Sequence, residues 1–128
     1  MSSAAQSERS ATRAVVGLAL GVLLTGCATT NRSGFTPIGS THPARAAGCE
    51  VEIFQRDLPA RDFARIARLD VHIEWSAWFE PRLADAVAEL RKQACLAGAD
   101  AIIDLDERRG SHIETKRYHV TATGIIYR

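Results

Sequence analysis

PRLADAVAELRKQACLAGADAIIDL, Pro81 to Leu105, decides the fold. Its first half repeats apolar residues at helical spacing: Leu83, Val87, Leu90, Ala94 and Ala97 form one stripe. Arg82, Asp85, Glu89 and Lys92 fall elsewhere on the wheel and read as solvated. Pro81 fits the first helical turn, where its missing N–H leaves no bond unmade. Gly98 is placed to end the helix as a left-handed residue. The pattern then changes. Ala101 to Leu105 is a short apolar run that reads as a buried strand. A helix over about 81–97 followed at once by a strand predicts a helix packed on a sheet.

The sheet has to come from both flanks. Upstream, Cys49 to Phe54 (CEVEIF) alternates, with Val51 and Ile53 on one side and Glu50 and Glu52 on the other, which marks a strand with one wet face. Asp57 and Pro59 place a turn in Arg56 to Arg61. Phe63 to Glu74 then alternates Leu69, Val71 and Ile73 against Asp70, His72 and Glu74. Phe63 and Ile66, before that alternation, would cover the edge of the core. Trp75, Trp78 and Phe79 precede the helix and read as a cap on the core, or as a contact patch if exposed. Downstream, Asp106 to His112 with Gly110 reads as a hairpin turn. Ile113 to Tyr127 is the last strand, rich in Val, Thr, Ile and Tyr. The expected fold is α+β: an antiparallel sheet of about four strands, in the order strand, strand, helix, strand, strand, with one amphipathic helix on one face.

Residues ahead of Cys49 read differently. Ala28 to Gly48 is dominated by Thr, Ser, Gly, Pro and Ala, with Phe35 and Ile38 its only large apolar residues. Such composition buries too little to offset ordering entropy. It predicts a flexible tether over 27–48, about 25 Å long on average and roughly 70 Å when fully extended. The folded domain would then be 49–128.

The N-terminus carries the most specific signal. Arg9 and Arg13 precede an unbroken apolar run, Ala14 to Leu24 (AVVGLALGVLL). That run is too short for a spanning helix, which needs about 20 residues, but suits a secretory signal peptide. It ends in Leu24-Thr25-Gly26-Cys27, which resembles the lipobox of bacterial lipoproteins. The resemblance implies that residues 1–26 are removed. It also implies that Cys27 is acylated on its sulfur and its new amino group, so that membrane lipid is the first partner. Multiple acyl chains hold a protein stably, where one binds only marginally. Ala28, where an Asp tends to retain such proteins at the inner membrane, implies an outer-membrane lipoprotein facing the periplasm.

Removing 1–26 takes two of the sixteen basic residues (Arg9, Arg13) and one of the fifteen acidic ones (Glu8), leaving 14 against 14. No basic surplus remains to neutralise phosphates, so nucleic acid is not an expected partner. Cys-x-Val-x-Ile-Phe, Pro-x-x-x-Phe-x-x-Ile-Ala-x-Leu, Ala-Cys-Leu-Ala-Gly-Ala-Asp-Ala-Ile-Ile and the C-terminal Gly-Ile-Ile-Tyr together resemble small bacterial envelope lipoproteins. These share an α+β domain with the YbjQ-like proteins and with the sensor lipoprotein of the Rcs envelope-stress pathway. The resemblance covers about Cys49 to Arg128. It implies a compact module that binds or senses through its surface, with an envelope protein as its unknown partner. This chain lacks the four-cysteine pattern of the stress sensor.

With Cys27 acylated, Cys49 and Cys95 remain. The envelope is oxidising, so they are expected to form a disulfide between sheet and helix; two reduced, half-buried thiols are the other reading. The four histidines, His42, His72, His112 and His119, show no fixed short ligand spacing. His72, beside Asp70 and Glu74, is the only candidate for a weak metal site, and no metal or other cofactor is expected. Asp104, Asp106 and Glu107, next to Arg108 and Arg109, could do acid–base work, but a charged hairpin that blunts edge pairing is the commoner use. No nucleophile or phosphate-loop motif is present. The expectation is a non-catalytic binding or envelope-sensing domain, with a metal-binding periplasmic protein or a small envelope enzyme as alternatives.

Overall fold

A computed structural model describes residues 30–76, 80–113 and 115–128. Cys27, the apolar run before it, and Trp78 and Phe79 lie outside the described residues. The described residues form an α+β fold, with one helix on a five-stranded mixed sheet. The elements are β1 (Thr30–Pro37), β2 (Glu52–Ile53), β3 (Phe63–Ser76), α1 (Leu83–Ala97), β4 (Ala101–His112) and β5 (Thr115–Tyr127). The sheet order is β1-β3-β5-β4-β2. Four strands pair antiparallel, while β2 runs parallel to β4. The sheet is therefore mixed and has five strands, where an antiparallel sheet of about four was expected. Among the described residues no helix is long and apolar enough to cross a membrane.

The alternation in β3 sets the inner face. Leu69, Val71 and Ile73 are buried and join Tyr118, Val120 and Ala122 of β5 and Ile102 of β4 in one core. Ala86, Leu90 and Ala94 of α1 close it from above. The small alanines let the helix axis come near the sheet. The buried stripe of α1 runs through Ala86, Leu90, Gln93, Ala94 and Ala97. Leu83 and Val87, expected in the stripe, are only partly covered. Asp85, expected as plainly solvated, accepts the backbone N–H of Arg82 at 2.9 Å and ties down the helix start. Gly98 ends the helix at φ 79°, as the sequence predicts. A smaller apolar cluster, Ala101, Ile103 and Ile125 with Phe54 and Phe63, covers one end of the opposite sheet face.

The expected tether is the main correction. Thr30–Pro37 is a strand paired along its length with β3, from Thr30↔Glu74 to Pro37↔Ala67. Its composition is too polar to read as a strand by hydrophobic alternation. It is an edge strand, however, and the ladder with β3 satisfies its backbone groups on one side while water serves the other. Ser33 adds two side-chain bonds to the helix: its hydroxyl donates to Glu89 at 2.7 Å and accepts the amide of buried Gln93 at 3.0 Å. The chain beyond β1 is also held. The backbone N–H of Arg45 donates to the carbonyl of Cys95, and its guanidinium donates to the carbonyl of Ala99 at 2.8 Å. The sheet thus already includes Thr30–Pro37, ahead of Cys49.

The second correction concerns the hairpin. Asp106 to His112 is not a turn: these residues pair with Thr121 through Thr115, and Gly110 lies opposite Arg117. The chain reverses after His112, where Ile113 takes φ 55°. Cross-strand partners outweigh the local turn signal of Gly110. Glu107 accepts the hydroxyl of Tyr118 at 2.7 Å, and Arg109 stacks over the same ring at 4.9 Å. A β-bulge interrupts the ladder between Ile103 and Asp106, where Asp104 sits at φ 54°. Asp tolerates that conformation better than most residues.

Candidate functional site

Cys49 and Cys95 are joined by a disulfide, with their Cα atoms 5.9 Å apart. The bridge ties the approach to β2 onto α1 and closes a loop whose ends are 46 residues apart. A loop of that length contributes about 4 kcal/mol in the chain-entropy account. Above the bridge opens a cleft of about 1150 Å³ between β2 and α1. Its lining carries both charges: Arg91 and Lys92 stand on the helix side, and Glu50 and Glu52 on the strand side, with Arg45 and Arg61 beside them. The disulfide, Val51 and Leu96 supply apolar surface between them. Leu96 is 44% exposed.

One end of the cleft is built by β5. Tyr127 donates its hydroxyl to Glu52 at 3.1 Å, and Arg61 lies over its ring at 4.4 Å. Burial, then the Glu52 carboxylate, pushes the phenol above its usual range. Asp100 accepts the backbone N–H of Tyr127 at 3.0 Å and faces Arg45 at 3.6 Å. Asp100, just ahead of β4, thereby ties that connection to β5. Beside the cleft, β2 is the last strand in the sheet order. Glu52 and Phe54 donate backbone bonds to Asp100 and Ile102 on the β4 side, and among the described residues no strand pairs with the opposite edge of β2.

The polar sheet face away from α1 carries the histidines. The register puts Arg32, His72, His119 and Arg108 in one row across β1, β3, β5 and β4. His72 and His119 meet edge to face at 5.6 Å. Each pairs with its own carboxylate: His72 with Glu74 at 2.9 Å, His119 with Asp70 at 2.8 Å. The His72 hydrogen bond, reinforced by Arg117 and Arg32, lowers the Glu74 carboxyl below its usual range. His119 was not singled out as a site residue by its spacing. Only the strand pairing brings it opposite His72, 47 positions away. Among the described residues no group of three or more His, Cys, Asp or Glu side chains converges as a metal site. His112 is exposed at the end of β4, and His42 packs beside Gly98.

The acidic cluster of the sequence is split by the sheet. Asp104 pairs with Arg65 at 3.4 Å and Asp106 with Arg108 at 3.0 Å, while Glu107 turns to the inner face and Tyr118. Asp104 and Asp106 border separate surface dents of about 310 and 90 Å³. Neither dent brings two carboxylates together with a nucleophile. Trp75 packs partly buried against the main core. Comparison of the chain with family models, curated proteins and solved structures gives no match in any of the three. The functional reading therefore rests on the sequence signal and on this geometry.

Proposed function

We propose that this chain is a bacterial envelope lipoprotein: acylated at Cys27, held on the outer membrane, and facing the periplasm with a non-catalytic binding domain. The observation that carries the reading is Leu24-Thr25-Gly26-Cys27 at the end of an eleven-residue apolar run. The Cys49–Cys95 bridge supports it, because disulfides persist in oxidising compartments such as the periplasm. The α+β module with its Gly98-Ala99-Asp100-Ala101 connection is in keeping with the resemblance to the YbjQ-like and stress-sensor lipoproteins.

The binding surface is the cleft beside β2. A lining of both charges over an apolar floor suits an extended protein segment of mixed charge, and the nearby open edge of β2 offers backbone bonds to it. The ion-paired carboxylates and histidines of the opposite face favour binding over acid–base chemistry. The test is metabolic labelling with palmitate in the native host. The wild-type chain takes up label, and Cys27→Ser removes it and releases the domain from the membrane. Label retained by Cys27→Ser, or no label on the wild type, would contradict the proposal. For the partner, a photocrosslinker at Lys92 should capture one envelope protein, and at Arg108 on the opposite face should not.

A further inference from the structure

Strand β1 begins three residues after Cys27, and its register places Thr30 at one end of the sheet. Thr30 pairs with Glu74, Glu74 with Arg117, and Arg117 with Gly110, so the four lie in one row across the sheet. From Gly110 the β4 strand continues away from the domain to Ile113, again three residues on. Three residues span at most about 10 Å. Cys27 is therefore within about 10 Å of Thr30 along the chain, and Thr30 lies at the end of the sheet that carries Ile113.

Ile113 is the most exposed large apolar residue described, at 91%. It is also β-branched at φ 55°, a conformation that favours Gly or Asn. A strained, fully exposed isoleucine at a turn serves the isolated domain poorly, and such strain clusters where a site is used. His112 and Lys116 stand exposed beside it. A single lysine adds only about 1 kcal/mol of attraction to an anionic headgroup layer, so apolar insertion rather than charge sets the contact.

We infer that the β4–β5 turn, led by Ile113, rests in the headgroup layer of the membrane that holds Cys27. This rests on the acylation proposed above. The domain then stands on its hairpin tip instead of swinging on a long tether. Its polar sheet face and its cleft are held at a fixed angle to the lipid. Lys116 can lay its methylenes along the apolar boundary and keep its ammonium at the phosphates.

The test uses the acylated chain in vesicles. With Cys27 acylated and Cys49 bridged to Cys95, Ile113→Cys carries the only free thiol of a chain with three native cysteines. An environment-sensitive dye there should shift to the blue and at least double its emission on vesicles, and brominated acyl chains should quench it. The same dye on Leu58→Cys, at the other end of β3, should not respond. Phosphatidylcholine vesicles with and without phosphatidylglycerol should agree within about twofold. In Ile113→Asn a dye at Ser111→Cys should lose the shift while the melting temperature holds or rises. Equal responses at 58 and 113 would overturn the inference. So would a shift that appears only when another envelope protein is added, which would assign the tip to a protein partner. An intact mass taken first separates the two claims: absence of acyl groups removes the anchor itself, whereas an acylated chain with a water-exposed tip removes only the docking.

Discussion

Gly98 joins two constraints at one backbone position. It holds φ 79°, and a Cβ there would meet the carbonyl oxygen of Pro43 at 2.5 Å and the Cβ of His42 at 3.1 Å. The first constraint follows from ending a helix; the second follows from the 42–45 segment packing over that end. Ala in a left-handed position costs about 1 kcal/mol, and the contact adds to it because one partner is backbone. Gly98→Ala should lower stability by about 2–3 kcal/mol in urea denaturation. A loss below about 0.5 kcal/mol would mean that the segment does not pack there. Tyr118 makes a pH prediction. Burial, then its bond to Glu107, raises its phenol well above the ordinary 10.0. Above about pH 10 the unfolded chain gives up this proton while the folded one keeps it, so stability falls as pH rises. Urea denaturation at pH 8 and pH 11 should show that fall. Tyr118→Phe should be less stable at pH 8 by about 1–2 kcal/mol, for the lost bond to a charged acceptor, and should show a smaller fall. Tyr127, whose phenol is raised in the same direction, contributes to the remaining fall. An undiminished fall in the variant would contradict the assignment.

At the scale of elements, β1 carries the most consequence. Its pairing with β3 rests on backbone bonds, and its grip on α1 rests on Ser33 between Glu89 and Gln93. Ser33→Ala leaves the buried amide of Gln93 without that acceptor, at a cost of about 1–2 kcal/mol. Hydrogen exchange of residues 31–36 should accelerate in the variant, and in the wild type these amides should be protected on the β3 side. Exchange as fast as in an unfolded peptide would restore the tether reading. The elements that were legible in the sequence were those with a strong period: the helix, with Gly98 as its stop, the alternation of β3, and the helix-to-strand switch at Ala101. What was not legible shares one cause. Edge strands need little hydrophobicity, so Thr30–Pro37 looked like a linker. Gly110 looked like a turn because its cross-strand partners, 117 among them, cannot be weighed from local sequence. The disulfide was legible through the compartment and the place of Cys95 on the helix. The cleft above it and the row of His72 and His119 depend on strand order, which no local pattern encodes.

The whole molecule is polarised. One end of the sheet holds the start of β1 and the β4–β5 turn; the other holds the β2–β3 loop with Leu58 and the smaller apolar cluster. The helix covers one face, and the opposite face carries ion pairs and histidines. The cleft opens at the β2 edge, four strands away from β1. If β1 begins three residues from an acyl anchor, the cleft lies at the sheet edge farthest from the strand that follows the lipid. Its lining residues Glu52, Asp100 and Tyr127 also lie at the end of the sheet opposite the β4–β5 turn, which suits a module that holds a partner away from the lipid surface rather than against it. All of this depends on Cys27. Mass spectrometry of the intact chain extracted from membranes tests it most directly. The account predicts one species that starts at Cys27, carries the added mass of its acyl groups, and lacks two hydrogens for the Cys49–Cys95 bridge. A chain that still begins at Met1, or one that starts at Cys27 with no added mass, would contradict it.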